Sequence, residues 1–246
     1  VLCRVDLNTR GLHNGTLLIW LLLLPVLQLA LYATVFAGIF KARVAGLDAM
    51  GYVAFLSLGL WPWFAFSEAV SRGAMALVDN AGLLGKTAIS PFQLVLARVL
   101  SAFLIHGIGF LIVLLVLTFL DTPLKLSGAP WVLLGWLLLL ALATALAVMA
   151  ALVSVFVRDL QHLLPLALTA VFFLSPLLYR IDSLPAWSHP LQWLNPAGLS
   201  IVTLRDGLLW QADPAQPLVA AAGAALAGLL ALMLYRRLRV ALADYL

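Results

Sequence analysis

Cysteine occurs once in the 246 residues, at Cys3, so neither an intrachain disulfide nor a cysteine-based metal cluster can form. Charge is almost as scarce. Asp, Glu, Lys and Arg make up 10% of the chain against 65% hydrophobic residues, a balance far from that of soluble domains. The net charge of +4 is small and reads as loop cations that set membrane orientation, with no indication of a nucleic-acid partner. No polar stretch is long enough for a separate soluble module. No internal repeat is visible, which argues against transporters built from inverted repeats. No Ser/His/Asp or His/Glu set converges within the apolar segments, so an intramembrane hydrolase has no support.

What fills the chain is Leu, Val, Ala and Phe in six apolar stretches: Thr16–Phe40, Tyr52–Val70, Phe92–Leu120, Trp131–Val157, Leu163–Leu178 and Leu218–Leu234. A spanning helix needs about 20 apolar residues to cross about 30 Å of hydrocarbon, which the fifth stretch falls short of. The sequence predicts an all-α membrane protein with six transmembrane helices in a single domain, 1–246. Residues 1–15 form a cytoplasmic N-terminal segment. The apolar run after it is too long for a signal-peptide core and has no small-residue cleavage site, so it is expected to stay as the first span. With the N-terminus inside, the cytoplasmic side carries nine cations (Arg4, Arg10, Arg72, Lys86, Arg98, Arg158, Arg236, Arg237 and Arg239). The outer side carries five: Lys41, Arg43, Lys125, Arg180 and Arg205. That bias predicts both termini in the cytoplasm.

Two links stand out. Residues 71–91, on the cytoplasmic side, mix Asp79, Asn80, Lys86 and Thr87 with Met75, Leu77, Val78, Leu83 and Leu84, and close at Pro91. This suits a short amphipathic helix along the membrane surface, or a connecting loop with snorkelling cations. Residues 181–217, on the outer side, hold Pro185, Pro190, Pro196, Pro214 and Pro217 among Trp187, Trp193 and Trp210. Within them Ala197–Trp210 reads as helical. The segment is too apolar for a solvated loop and too broken for a span, as expected of short helices dipping into the outer leaflet.

Gly82-Leu-Leu-Gly85-Lys86-Thr87 imitates the end of a phosphate-binding loop, but Asn80 stands where the first glycine belongs and no strand precedes it. ATP binding by this chain is not expected. Asn14-Gly15-Thr16 fits a glycosylation sequon on the wrong side of the membrane, and Thr16 reads better as a helix cap. Glu68 and His106 are the ionisable groups deepest in apolar sequence, where such groups are costly. Glu68 can reach Arg72 one turn away, and His106, beside Gly107 and Gly109, is read as an interhelical hydrogen-bonding group ahead of a proton relay or metal ligand. Trp61-Pro62-Trp63-Phe64-x-Phe66 crowds rings that cannot all face lipid, leaving core packing and a conduit lining both open.

Several of these pieces, in order, resemble the membrane subunit of ABC-2 type polysaccharide exporters. They are Trp20-x4-Pro25, Gly59-x-Trp61-Pro62-Trp63, Asp79-Asn80-x-x-Leu83-x3-Thr87-x3-Pro91-Phe92, Phe156-Val157-Arg158-Asp159, Phe173-Leu174-Ser175-Pro176-Leu177-Leu178-Tyr179, Leu194-Asn195-Pro196 and Arg205-Asp206. Gly85-Lys86-Thr87-Ala88 and Ser90 depart from the family's more apolar approach to its Phe-Pro. The resemblance implies a homodimer seated on two copies of a separate ABC ATPase, which would hold the ATP and Mg, with no cofactor, metal or catalytic residue in this chain. It implies export of lipid-linked glycan such as O-antigen, capsule or teichoic-acid precursors across the bacterial inner membrane; a permease for a drug or small lipid is the alternative. By position it makes Asp79, Asn80, Leu83, Leu84, Lys86, Thr87 and Pro91 the coupling helix to the ATPase. It makes Ile181–Trp210 the periplasmic gate helices. Trp61, Trp63, Phe64, Phe66, Tyr179, Trp187, Trp193 and Asn195 are then candidates for the channel or gate.

Overall fold

The computed structural model describes residues 2–9, 23, 26–31, 34–35, 47–84 and 89–238. The regular structure among them is all helical. An N-terminal helix, α1 (Leu2–Thr9), is followed by α2 (Ala49–Ala74), two single-turn helices in the first link (Ala76–Asp79 and Ala81–Leu84), α3 (Pro91–Phe119) and α4 (Ala129–Phe156). Then come α5 (Leu160–Leu174), the short α6 (His189–Trp193), α7 (Pro196–Leu209) and α8 (Ala215–Leu238).

Helix starts follow local chemistry. Asp48 caps α2 by accepting the Gly51 amide at 2.7 Å, satisfying one of the donors every helix N-terminus leaves open. Ser90 and Gln93 form a reciprocal capping box at α3, with Pro91 in the first turn where its missing N–H costs nothing. The α2 helix is the centre of the bundle, with nearly every residue from Tyr52 to Val70 buried. It packs on α3 and α4, while α4 also carries α7 and α8. Leucines at 104, 111 and 115 of α3, 133 and 137 of α4, and 226 and 229 of α8 point outward, as expected of a bundle whose solvent is lipid.

Among the described residues, four helices are long and apolar enough to cross a membrane: Met50–Ala74, Pro91–Phe119, Leu126–Phe156 and Ala215–Leu238. They answer to the second, third, fourth and sixth predicted stretches. The first, Thr16–Phe40, lies mostly outside the described residues. The fifth differs from expectation. Its helix is Leu160–Leu174, shifted toward the α4 end of the predicted Leu163–Leu178. At 1.5 Å per residue it is about 22 Å long, well short of the hydrocarbon thickness.

The cause is the segment just after α5. The chain unwinds at Ser175-Pro176, and the Leu177 carbonyl approaches Gly59 so closely that a Cβ there would lie 3.2 Å from it. Gly59 is ten residues into α2, about 15 Å along its axis, so α5 ends inside the bundle. From Pro196, packed on Gly223 of α8, α7 then runs back toward the start of α4, where Gly207 meets Trp131. Twelve of its 14 residues are buried. Helix α5, the unwound turn and α7 together form a broken passage of the kind tolerated at membrane depth only inside protein.

Candidate functional site

The 75–90 end of the bundle is organised by a run of charges. Asp6, on α1 and buried, accepts from Arg72 Nη2 at 2.8 and 2.9 Å and from the Ser101 hydroxyl, and pairs with Arg98 Nε at 3.1 Å. Arg98 also reaches Asp79 of the link at 3.7 Å. Arg72 reaches Glu68 at 3.7 Å, and Glu68 Oε2 lies 2.8 Å from His106 Nε2. With Glu68 ionised, the carboxylate accepts and that nitrogen is the donor. The backbone carbonyl of His106 in turn accepts from Trp61 Nε1 at 3.1 Å. A polar chain, Asp79–Arg98–Asp6–Arg72–Glu68–His106, therefore runs from the link to the middle of α3. The interhelical bond expected of His106 exists, and its partner is Glu68. Asp6 and Ser101 were not singled out by sequence, since only folding brings positions 6, 72, 98 and 101 together.

Of the coupling candidates, Asp79 takes part in this chain. Asn80 turns its amide back to the Ala76 carbonyl at 2.8 Å, which breaks the link into two turns where a single amphipathic helix was one expectation. Ala76 and Leu77 are fully buried, while Val78 is exposed. Leu84 is partly buried against the main core, and Pro91 opens α3. The Leu83 side chain, and Lys86 and Thr87 altogether, lie outside the described residues.

The rings at 61–66 are core. Trp61, Trp63 and Phe66 are buried and Phe64 is half-buried. Trp63 packs on Phe66 and on Phe172 of α5, with centroids 5.4 and 5.7 Å apart. Gly109 leaves the room that Trp61 occupies, since a Cβ there would come within 2.8 Å of the indole.

At the 175–214 end, the broken passage is held by polar ties. Asn195 donates to the Ser175 hydroxyl at 2.7 Å while capping α7 through the Gly198 amide at 2.9 Å. Tyr179 donates to the Phe173 carbonyl at 3.1 Å. The largest tie is Arg205, 2% exposed. It donates to the Pro176 carbonyl at 2.8 Å, pairs with Asp206 at 3.2 Å and lies 3.9 Å above the Phe55 ring. Sequence counted Arg205 as an outer loop cation. Burial removes it from that count and gives it a structural partner, the carbonyl freed where α5 unwinds. Trp187 and Trp193 remain exposed.

Among the described residues no cluster of three or more His, Cys, Asp or Glu side chains could hold a metal ion, and no strand stands ahead of Ala81–Leu84 to build a phosphate loop.

Comparison with known proteins gives the arrangement a context. The chain is 26% identical to the polysialic acid transport protein KpsM of Escherichia coli, over 72% of this chain and 68% of that one. It is 24% identical to the O-antigen export system permease protein RfbA of Klebsiella pneumoniae, over 84% and 78%. To the protein of the same description from Myxococcus xanthus it is 28% identical, over 89% and 84%. The ABC-2 type transporter family pattern matches residues 8–209, from α1 to the end of α7. With that match running through both links and the broken passage between them, the chain belongs to the ABC-2 type transporter membrane family.

Proposed function

We propose that this protein is the permease subunit of an ATP-driven exporter that moves a lipid-linked polysaccharide across the bacterial inner membrane, working as a homodimer on a separate ABC ATPase pair. The observation that carries the reading is the similarity to polysaccharide and O-antigen transport proteins over most of the chain. The chemistry of the bundle is compatible with it. A polymer that must slide needs many weak contacts, and rings tolerate many sugars through their faces.

In this reading the 75–90 end faces the cytoplasm and takes up the stroke of the ATPase. Asp79, Asn80, Leu83, Leu84, Lys86, Thr87 and Pro91 form the coupling segment. Arg98, shared between Asp79 and Asp6, passes a shift of that segment to α1, α2 and α3 together. A ligand or partner moves such an equilibrium only through contacts that differ between two states, and a cation between two carboxylates supplies such a difference. Residues 181–210 form the gate on the far side, with Tyr179, Trp187, Trp193 and Asn195 at its moving parts. Phe64, half-buried, is the conduit candidate of the 61–66 ring cluster.

The test is pull-down of the ATPase and glycan export by variants at each end. Leu83→Glu and Leu84→Glu are expected to cut ATPase binding and export by about a hundredfold or more, the order of effect of a buried unpaired charge. Trp193→Ala is expected to alter export or leakage with docking intact. Full export and ATPase binding by both Glu variants would overturn the coupling assignment. Export of a drug or small lipid with no glycan export would favour the alternative substrate class.

A further inference from the structure

Between α4 and α8, beside the start of α3, lies a slot of about 450 Å³. Small residues line it, among them Ala141 and Ala145 of α4 and Gly228 of α8. A Cβ on Gly228 would meet nothing within 4 Å, so the space above the glycine is open. Thr144 also lines the slot, but its hydroxyl donates to the Leu140 carbonyl of its own helix at 2.8 Å. Phe92 of α3 and Tyr235 of α8 line it toward the 75–90 end. Water or a sugar placed among these walls would lose hydrogen bonds without replacement, whereas a hydrocarbon chain would lose none.

Charge beside the slot sets which hydrocarbon it takes. The last turn of α8 carries Arg236 and Arg237, both exposed. Arg236 lies four residues past Leu232, which lines the slot, so it stands on the same face of α8 one turn nearer the 75–90 end. Arg237 lies about two and a half turns past Gly228, on the opposite face. An apolar slot with a cation on its flank matches an acyl chain joined to an anionic headgroup. A second copy of this chain matches it poorly. Two copies inserted in the same direction are related by an axis along the membrane normal, which brings their Arg236 side chains together at one depth with like charge. Among anionic lipids, phospholipid is the bulk component of the bilayer, and occupancy follows concentration.

We propose that this slot binds an acyl chain of one anionic phospholipid from the leaflet at the 75–90 end, with the lipid phosphate paired to Arg236. Phe92 follows Pro91, the residue that closes the first link, so the bound chain packs on the helix start from which that link hangs. The site goes beyond the transport reading above and does not depend on which substrate is exported.

The experiment uses the permease co-purified with its ATPase, in nanodiscs of equal parts phosphatidylglycerol and phosphatidylethanolamine with identical acyl chains, and native mass spectrometry of retained lipid. Wild type is expected to keep one phosphatidylglycerol per chain, preferred about fivefold, the attraction that one basic residue near the surface exerts on anionic lipid. Arg236→Gln should erase the preference and Arg237→Gln should keep it. That contrast separates a site on one face of α8 from a general pull of anionic lipid toward basic helix ends. Gly228→Phe, whose ring would grow into open space, should expel either lipid, and it serves as the second test if Arg236→Gln does not fold. Equal retention of both lipids by wild type would overturn the proposal. So would equal losses in Arg236→Gln and Arg237→Gln, lipid retention by Gly228→Phe equal to wild type, displacement by an equimolar polyprenyl phosphate, or cross-linking of Gly228→Cys to a second copy in place of lipid.

Discussion

Arg205 sits in α7 with almost no exposed surface, and its charge is matched by Asp206, the Phe55 face and the Pro176 carbonyl. Truncation removes all three at once, leaving the Pro176 carbonyl without this donor and the half-buried Asp206 carboxylate without its ion-pair partner. Arg205→Ala is therefore expected to cost about 3 kcal/mol, read as a lowered midpoint of thermal unfolding in detergent. Arg205→Lys should cost less but more than nothing, because a point charge cannot reproduce the planar fork. A midpoint unchanged in Arg205→Ala would mean that the unwound turn holds without it. Part of this role was legible beforehand. Arg205 is embedded in Ile201–Leu204 and Leu208–Leu209 and followed by an acid, a pattern at odds with a solvated loop cation. Its target was not legible, since nothing in residues 175–178 announces that α5 stops there with a free carbonyl. Asp6 was legible still less, because its meaning lies in partners brought from α2 and α3.

At the scale of elements, α7 is held by close approach between small residues. A Cβ on Gly135 would lie 2.5 Å from the Ser200 carbonyl and 2.9 Å from Leu204 Cβ, whereas one on Gly228 would meet nothing within 4 Å. The two glycines are both inside spanning helices, so they make a matched pair. Gly135→Ala is expected to destabilise by about 1–3 kcal/mol through overpacking against backbone that cannot yield. Gly228→Ala should stabilise by about 0.5–1 kcal/mol, since alanine is the better helix former and no contact opposes it. Denaturation of both variants checks the pair, and equal effects would show that α7 does not press on α4 as described. The apolar periods made the long helices legible, and the prolines with Trp187, Trp193 and Trp210 marked the second link as neither span nor loop. The shortness of α5 was half legible. Composition showed an apolar run, but where it ends depends on Gly59 of a distant helix making room for the Leu177 carbonyl.

For the whole molecule, orientation and energy source are the claims that matter. Cations at the helix ends favour the 75–90 end inside, and single cysteines at Arg237 and Lys125 should label from opposite sides of the membrane. Labelling of both from one side would reverse or void that topology. Lys86→Ala should leave nucleotide binding by the assembled complex intact, because the apparent phosphate loop lacks its first glycine at Asn80 and has no strand before it. The central claim is that this chain supplies a path for glycan and a separate ATPase supplies the energy. The most direct measurement is transport in proteoliposomes loaded with a labelled lipid-linked polysaccharide, with the permease alone and with its ATPase. ATP-dependent movement of the glycan only when both subunits are present, lost when Asp6→Ala breaks the charge chain from the link, is the result expected. Glycan movement by the chain alone, or no glycan movement by the complete complex under ATP, would contradict it.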